Sequence, residues 1–185
     1  MAQRILLAVA ILLAALVLGT GLPTSATYII TSIMAAPALV QLGVPKLVAH
    51  MFVFYFGILA DLTPPTAIST YATSSIAGAN VWRTQWLAMM LALSGFIIPF
   101  SFVYDPAILL INASVAHVAW RTAATTLGIV MLGAGLIGYL RAPTRRWERA
   151  ALLAGALLLI FPGAARAALG IGCFVAVLVS EGRRR

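Results

Sequence analysis

Charged side chains are scarce in this sequence of 185 residues: they make up 9% of the chain, and only four of them are acidic. A soluble domain typically carries about 25% charged residues. The chain is also 63% hydrophobic, with a mean hydropathy of +1.06. This balance excludes a soluble domain and predicts an all-α polytopic membrane protein. At about 20 apolar residues per membrane helix, the length allows roughly five to seven membrane-embedded segments.

Residues that carry covalent chemistry are equally few. Cys173 is the only cysteine, which excludes an internal disulfide and a cluster of thiolate metal ligands. The two histidines and four carboxylates form no close acid–base pair and no metal-binding or triad spacing. We therefore expect no enzymatic activity and no cofactor. The net charge of +8 comes from Lys and Arg placed mostly at helix ends, as topology signals are, so we expect no nucleic-acid partner.

The first apolar segment, Arg4 to Leu18, fits either a membrane helix or a cleavable signal peptide. Thr24, Ser25 and Ala26 have the small side chains of a cleavage site. Because another hydrophobic membrane sequence follows at once, we favour an internal membrane helix.

Two membrane segments are interrupted by helix-breaking residues next to hydroxyl groups. The first spans residues 19–44: a Gly- and Pro-containing start is followed by an apolar run, interrupted at Pro37 and ended by Gly43 and Pro45. This pattern predicts a helix, a break and a second helix. The second spans residues 46–79 and is interrupted at Thr63-Pro64-Pro65-Thr66, because consecutive prolines cannot continue a helix. Both breaks free backbone groups that hydroxyls can satisfy or a ligand can bind.

The rest of the sequence predicts more ordinary membrane segments. Residues 82–104 and 122–140 are apolar spans, and the polar stretch 108–121 is expected at a membrane interface. The connection 141–149 carries four arginines, so the positive-inside rule places it and the C-terminus in the cytoplasm. The short apolar runs after it, 150–162 and 167–180, either cross the membrane out and back or form a re-entrant hairpin.

Several single residues and motifs have a functional and a structural interpretation. Asp61 is the only acidic residue within an apolar membrane run, which makes it a functional candidate, and it is equally placed to cap the nearby helix break. His50 lies roughly 16 Å from Asp61 along the helix axis, so the two cannot form an acid–base pair. We expect His50 and His117 at membrane interfaces. The segment Gly133–Gly138 matches a dinucleotide-binding pattern, but no strand precedes it. Together with Gly128, its small residues instead predict that another helix packs closely against this one.

Two successive broken helices flanked by hydroxyls are the parts from which secondary transporters build ion and substrate sites near the middle of the membrane. We therefore favour a transporter. Two alternatives remain: a membrane scaffold that does not transport, and an intramembrane enzyme that depends on Asp61 or His50.

The order and spacing of the motifs also resemble a known family. The matching stretches are Gly19-Thr20-Gly21-Leu22-Pro23-Thr24, Ala36-Pro37-Ala38-Leu39, Leu42-Gly43-Val44-Pro45, His50 to Tyr55, Leu62-Thr63-Pro64-Pro65, Ser75-Ile76-Ala77-Gly78-Ala79 and Phe100 to Pro106. They are similar to the C-terminal part of the large membrane subunit of the tripartite ATP-independent periplasmic (TRAP) transporters, most closely its fused-permease branch. The resemblance extends from about residue 10 to residue 110.

This resemblance implies an elevator-type secondary transporter of the bacterial inner membrane with an inverted-repeat fold. Such a transporter uses a Na⁺ gradient to import organic acids that a periplasmic substrate-binding protein delivers. Residues 19–44 would be the re-entrant hairpin of the second repeat and residues 46–79 its discontinuous helix. Residues 1–105 would then form half of a DctM-like transport domain, and residues 106–185 a C-terminal interfacial stretch with further membrane helices.

The candidate substrate and ion ligands lie at the two breaks. They are Gly19, Thr20, Gly21, Pro23, Thr24, Ser25, Asp61, Thr63, Pro64, Pro65, Thr66 and Ser69. Gly21, Thr24, Thr63 and Thr66 are the candidates for Na⁺, and the resemblance itself does not single out Asp61. Because the family's large subunit is much longer, we expect half a transport site in the lipid bilayer, completed by the missing N-terminal permease half or the small membrane subunit. A split gene, a truncated reading frame and a remnant are equally open explanations.

Overall fold

The computed structural model describes residues 6, 10, 13–14, 17, 22–64 and 67–184, with the backbone alone for Ser94. No β-strand is present in this described part, which is helical. In chain order its elements are α1 (Thr24–Gln41), α2 (Lys46–Ala60), α3 (Ile68–Ala77), α4 (Val81–Tyr104), a 3-10 turn (Pro106–Leu109), α5 (Val115–Ile137), α6 (Arg146–Ile160) and α7 (Ala164–Gly182). The chain forms two compact units, residues 1–92 and 93–185, and the boundary between them lies within α4.

Three of the described helices, α4, α5 and α7, are long and apolar enough to cross a membrane. Helix α2 is also apolar but shorter. These helices confirm the predicted helical membrane protein. The choice between a membrane helix and a signal peptide for Arg4 to Leu18 concerns a segment that lies mostly outside the described residues.

In the first unit, α1 and α2 form an antiparallel pair joined by a tight turn at Gly43. Gly43 has φ +80°, and its N–H donates to the carbonyl of Val40 at 2.9 Å. The N–H of Val44 donates to the carbonyl of Leu39 at 3.1 Å. These are the two bonds of a Schellman motif, in which glycine adopts the left-handed conformation at lowest cost. The predicted stop at Gly43 and Pro45 is confirmed.

The predicted interruption at Pro37 is wrong. Helix α1 continues through it without a break, with Pro37 in its interior. A proline removes one backbone hydrogen bond but does not by itself end a membrane helix, because neighbouring groups satisfy the freed carbonyl. The described part of this segment therefore holds one helix, Thr24–Gln41, preceded by an extended residue, Pro23.

In the second unit, α5, α6 and α7 pack through glycines. A Cβ atom built at Gly128 would lie 2.8 Å from the Ile160 side chain, and one at Gly135 would lie 2.9 Å from Leu153. The predicted close packing is thus confirmed at these two positions. At Gly133 no neighbouring element of the described structure comes within 4 Å of the Cβ position, so this glycine does not contribute to the packing. Gly138 has φ +82° and ends α5 instead.

The expected boundaries between residues 106 and 140 need correction. Helix α5 starts at Val115, after Ser114, whose side chain accepts a hydrogen bond from the N–H of His117 at 3.3 Å. Residues 115–121 are therefore the first turns of the same helix that was expected to begin at Thr122. The helix accommodates Arg121 because the arginine has buried partners, which are described below.

Candidate transport site

The first candidate segment lies at the start of α1. Pro23 has extended backbone angles (φ −57°, ψ 146°), and Thr24 and Ser25 occupy the first turn. Among the residues that the structure describes, no side chain caps this end of the helix. The first backbone N–H groups of an uncapped helix carry partial positive charge and favour an anion. The predicted ligands Gly19, Thr20 and Gly21 lie outside the described residues.

The second candidate segment is the break after α2. After Ala60 the backbone hydrogen bonds join residues three positions apart, as in a 3-10 turn. The N–H of Leu62 donates to the Leu59 carbonyl and that of Thr63 to the Ala60 carbonyl, both at 3.1 Å. The Thr63 hydroxyl donates to the Leu59 carbonyl at 3.0 Å. Within the described part of the chain, no group donates to the backbone carbonyls of Asp61 and Leu62. The predicted interruption at this point is confirmed, and it leaves oxygen atoms of the kind that bind hard cations.

The far side of this break has an unusual backbone conformation. Ala67 has φ +32° and ψ 55°, which lies in the left-handed region, and it is fully buried. Its N–H donates to the Thr63 carbonyl at 3.3 Å. A left-handed conformation is costly for a residue with a Cβ atom, so the surrounding structure must hold it in place. The predicted ligands Pro65 and Thr66, just before it, lie outside the described residues.

Asp61 and Ser69 connect the two sides of the break. The Ser69 hydroxyl donates to the Asp61 carboxylate Oδ2, and Asp61 is half-buried. This contact joins the first turn of α3 to the end of α2. His50 has a different partner: its Nδ1 lies 3.2 Å from the hydroxyl of Tyr28.

The start of α1 packs against the end of α2, and Gly57 lies at this contact. A Cβ atom at Gly57 would lie 3.8 Å from Cγ2 of Thr27 and 3.9 Å from the carbonyl oxygen of Thr24. Asp61 follows Gly57 by four residues, about 6 Å along a helix. The fold therefore brings the start of α1 to within about one helical turn of the break after α2.

Buried hydroxyls on α1 are a feature that sequence reasoning missed. Thr27 and Thr31 are almost completely buried, at 0% and 2% exposure. The Thr31 hydroxyl donates to the Thr27 carbonyl at 2.6 Å, and the Thr27 hydroxyl donates to Pro23 at 3.3 Å. The signal is visible in the sequence: with Thr24 they follow the three- and four-residue spacing of one helix face. This face is the one that contacts α2.

The family of the chain follows from a comparison with known protein families. Residues 1–117 match the model of the tripartite ATP-independent periplasmic transporter, DctM component. The chain belongs to the DctM family. The match covers both candidate segments and confirms the resemblance to the large membrane subunit of the TRAP transporters. No curated protein and no solved structure matches the chain.

Membership of the DctM family has direct consequences for function. DctM proteins are permease components of TRAP transporters, so this chain is a component of a multi-pass membrane transporter. The family implies a periplasmic binding protein as the partner. Residues 118–185 lie beyond the matched segment and contain most of α5 and all of α6 and α7.

In this C-terminal part of the DctM-family chain, two arginines cap helices. Arg121 is 3% exposed; its Nη2 donates to the carbonyl of Ile160 at 2.9 Å, and its Nε lies 2.9 Å from Asp105. His117 Nε2 lies 3.0 Å from the same Asp105 carboxylate.

Arg149 donates to the carbonyl of Gly135 at 2.9 Å, at the end of α5. A cation at a helix C-terminus is stabilising. These two arginines therefore stabilise the packing of the second unit.

Proposed function

We propose that this DctM-family chain contributes to Na⁺-coupled uptake of organic acids across the bacterial inner membrane. In this proposal, residues 141–149 and the C-terminus face the cytoplasm, and a periplasmic binding protein delivers the substrate. The observation that carries the proposal is the contact at Gly57, which holds the start of α1 beside the break after α2. The groups that would bind Na⁺ and the groups that would bind the substrate carboxylate are then close together.

The break after α2 provides the Na⁺ ligands. The carbonyls of Asp61 and Leu62 and the hydroxyl of Thr63 supply oxygen atoms there, and Thr24 supplies another from α1. The Thr63 hydroxyl keeps its lone pairs because it donates, through its hydrogen, to Leu59. Broken helices in secondary transporters bind Na⁺ with such carbonyls and hydroxyls. Gly21 and Thr66 complete the proposed ion ligands.

The start of α1 provides the substrate ligands. A carboxylate of an organic acid is negatively charged, and the uncapped helix end at Pro23, Thr24 and Ser25 attracts that charge. Ser69 and Asp61 position the second segment and do not contact the substrate. We propose that the remaining ligands come from another part of the permease, related to this one by an inverted repeat, and that transport follows an elevator motion.

The experiment is Na⁺-driven uptake into proteoliposomes. The chain is co-reconstituted with the companion permease protein and the periplasmic binding protein that its own genome encodes. Radiolabelled dicarboxylates are then supplied with and without a Na⁺ gradient. Loss of one oxygen ligand to a cation costs about 1.5 kcal/mol or more, which is at least about tenfold in affinity. Thr63→Ala is therefore expected to raise the half-saturating Na⁺ concentration about tenfold, and Thr63→Ser to restore it.

The matched control is Thr126→Ala, which removes an exposed hydroxyl from α5. It is expected to leave uptake unchanged. If the chain is a scaffold without transport activity, Thr24→Ala, Thr63→Ala and Thr126→Ala are expected to give the same uptake and the same Na⁺ dependence. Equal uptake by all three variants, with the same Na⁺ dependence as the parent, would therefore refute the proposed ion site.

A further inference from the structure

A groove of about 410 Å³ lies on the second unit, at the end of α6 that is remote from residues 141–149. Its lining residues are Ala154, Leu157, Leu158, Phe161 and Arg166. Four of these five are apolar, so the only charge in the groove is the guanidinium of Arg166. The groove thus combines an apolar lining with one cation at its edge.

Arg166 has an unusual sequence position. It is the only charged residue between Ala150 and Ser180. It is exposed, and within the described part of the chain it forms no ion pair; its Nη1 lies 3.5 Å from the carbonyl of Pro162. A charge in an apolar membrane segment is costly unless it reaches the interface or meets an opposite charge. Arg166 therefore has capacity for an anionic partner at the membrane surface.

The first turn of α7 strengthens this positive end. The first intrahelical bond runs from the N–H of Ala167 to the carbonyl of Gly163 at 2.9 Å, so the preceding N–H groups have no partner within the helix. Gly163 has φ +145° and no side chain to cap them. Its Cβ position lies 3.5 Å from Cδ of Arg166, so the arginine stem folds over this end of the helix.

We propose that the groove binds an acyl chain of an anionic phospholipid, whose phosphate pairs with Arg166. The apolar lining matches the hydrocarbon chain, and the guanidinium matches the phosphate, with which arginine forms paired charge-assisted hydrogen bonds. This pairing satisfies the one charge between Ala150 and Ser180. The proposal does not depend on Na⁺ coupling or on the proposed transport site.

The test is native mass spectrometry of the detergent-purified protein titrated with phosphatidylglycerol. The parent is expected to retain a lipid that Arg166→Gln binds about tenfold more weakly, the effect of losing a charge-assisted contact. The matched control is Arg146→Gln, an exposed arginine at the opposite end of α6, which is expected to bind within about twofold of the parent.

A second variant tests the apolar lining of the groove independently of the Arg166 charge. Ala154→Phe fills the groove from an exposed position on α6 and is expected to reduce phosphatidylglycerol binding while leaving Arg166 in place. Inorganic phosphate in excess is expected not to displace the lipid, since it lacks the acyl chain. Displacement by phosphate, equal binding of phosphatidylcholine, or equal binding by the Arg166→Gln and Arg146→Gln variants would each overturn the proposal.

Discussion

Replacing Gly170 with alanine is expected to destabilise the contact between α6 and α7. A Cβ atom at Gly170 would lie 2.8 Å from the backbone oxygen of Gly155 and 2.7 Å from Cγ of Leu159. The backbone oxygen cannot rotate away, so the two helices must separate. Overpacking of this kind costs about 1–3 kcal/mol, against a gain of about 1 kcal/mol in helix propensity when glycine becomes alanine.

Gly172 is the matched control, because it lies on the same helix and, within the described part of the chain, its Cβ position has no packing neighbour within 4 Å. Gly172→Ala receives the same gain in propensity without the overpacking. The difference between the two variants therefore measures the packing term alone, and we expect Gly170→Ala to be less stable than Gly172→Ala by about 1–3 kcal/mol.

The assay is unfolding in detergent micelles by added SDS, followed by far-UV circular dichroism. The free energy of unfolding is compared for the parent and both variants. Equal stability of Gly170→Ala and Gly172→Ala would refute the close approach of α6 and α7 at this point.

Two further changes test local features. Arg121→Met is expected to lower the free energy of unfolding by about 3 kcal/mol, because it leaves Asp105 and the Ile160 carbonyl without their buried partner. Adding Asp105→Asn is expected to recover part of this loss in the same SDS assay; no recovery would argue against the ion pair. Gly78→Ala is expected to cost about 1 kcal/mol, because Gly78 ends α3 with φ +60°. A change equal to that of Gly172→Ala would contradict this reasoning.

The helix breaks are predictable from the sequence because their causes are local. Consecutive prolines cannot continue a helix, and α2 ends at Ala60, ahead of them; Gly43 ends α1 through its own backbone freedom. Pro37 shows the limit of the same argument. Its ring also removes a hydrogen bond, but the helix around it supplies enough other bonds to continue.

The role of Arg121 is not predictable in this way, because its partners are distant in sequence. Asp105 is 16 residues before it and the Ile160 carbonyl 39 residues after it. Without these partners, the polar stretch from residue 108 to residue 121 reads as an interfacial segment. With them, the charge is satisfied within the fold, and the last of these residues join an apolar helix.

Gly57 lies at the contact that places the two candidate segments side by side. In the sequence it is one glycine in a 15-residue apolar helix. In the fold, the first turn of α1 rests on the last turn of α2 at this residue, with the Thr24 carbonyl oxygen 3.9 Å from the Cβ position of Gly57. The fold therefore holds the turn that carries the proposed ion ligands Asp61, Leu62 and Thr63 next to a pair of packed helices. A binding site on packed elements holds its ligands at more constant distances, which is what coupling an ion to a substrate requires.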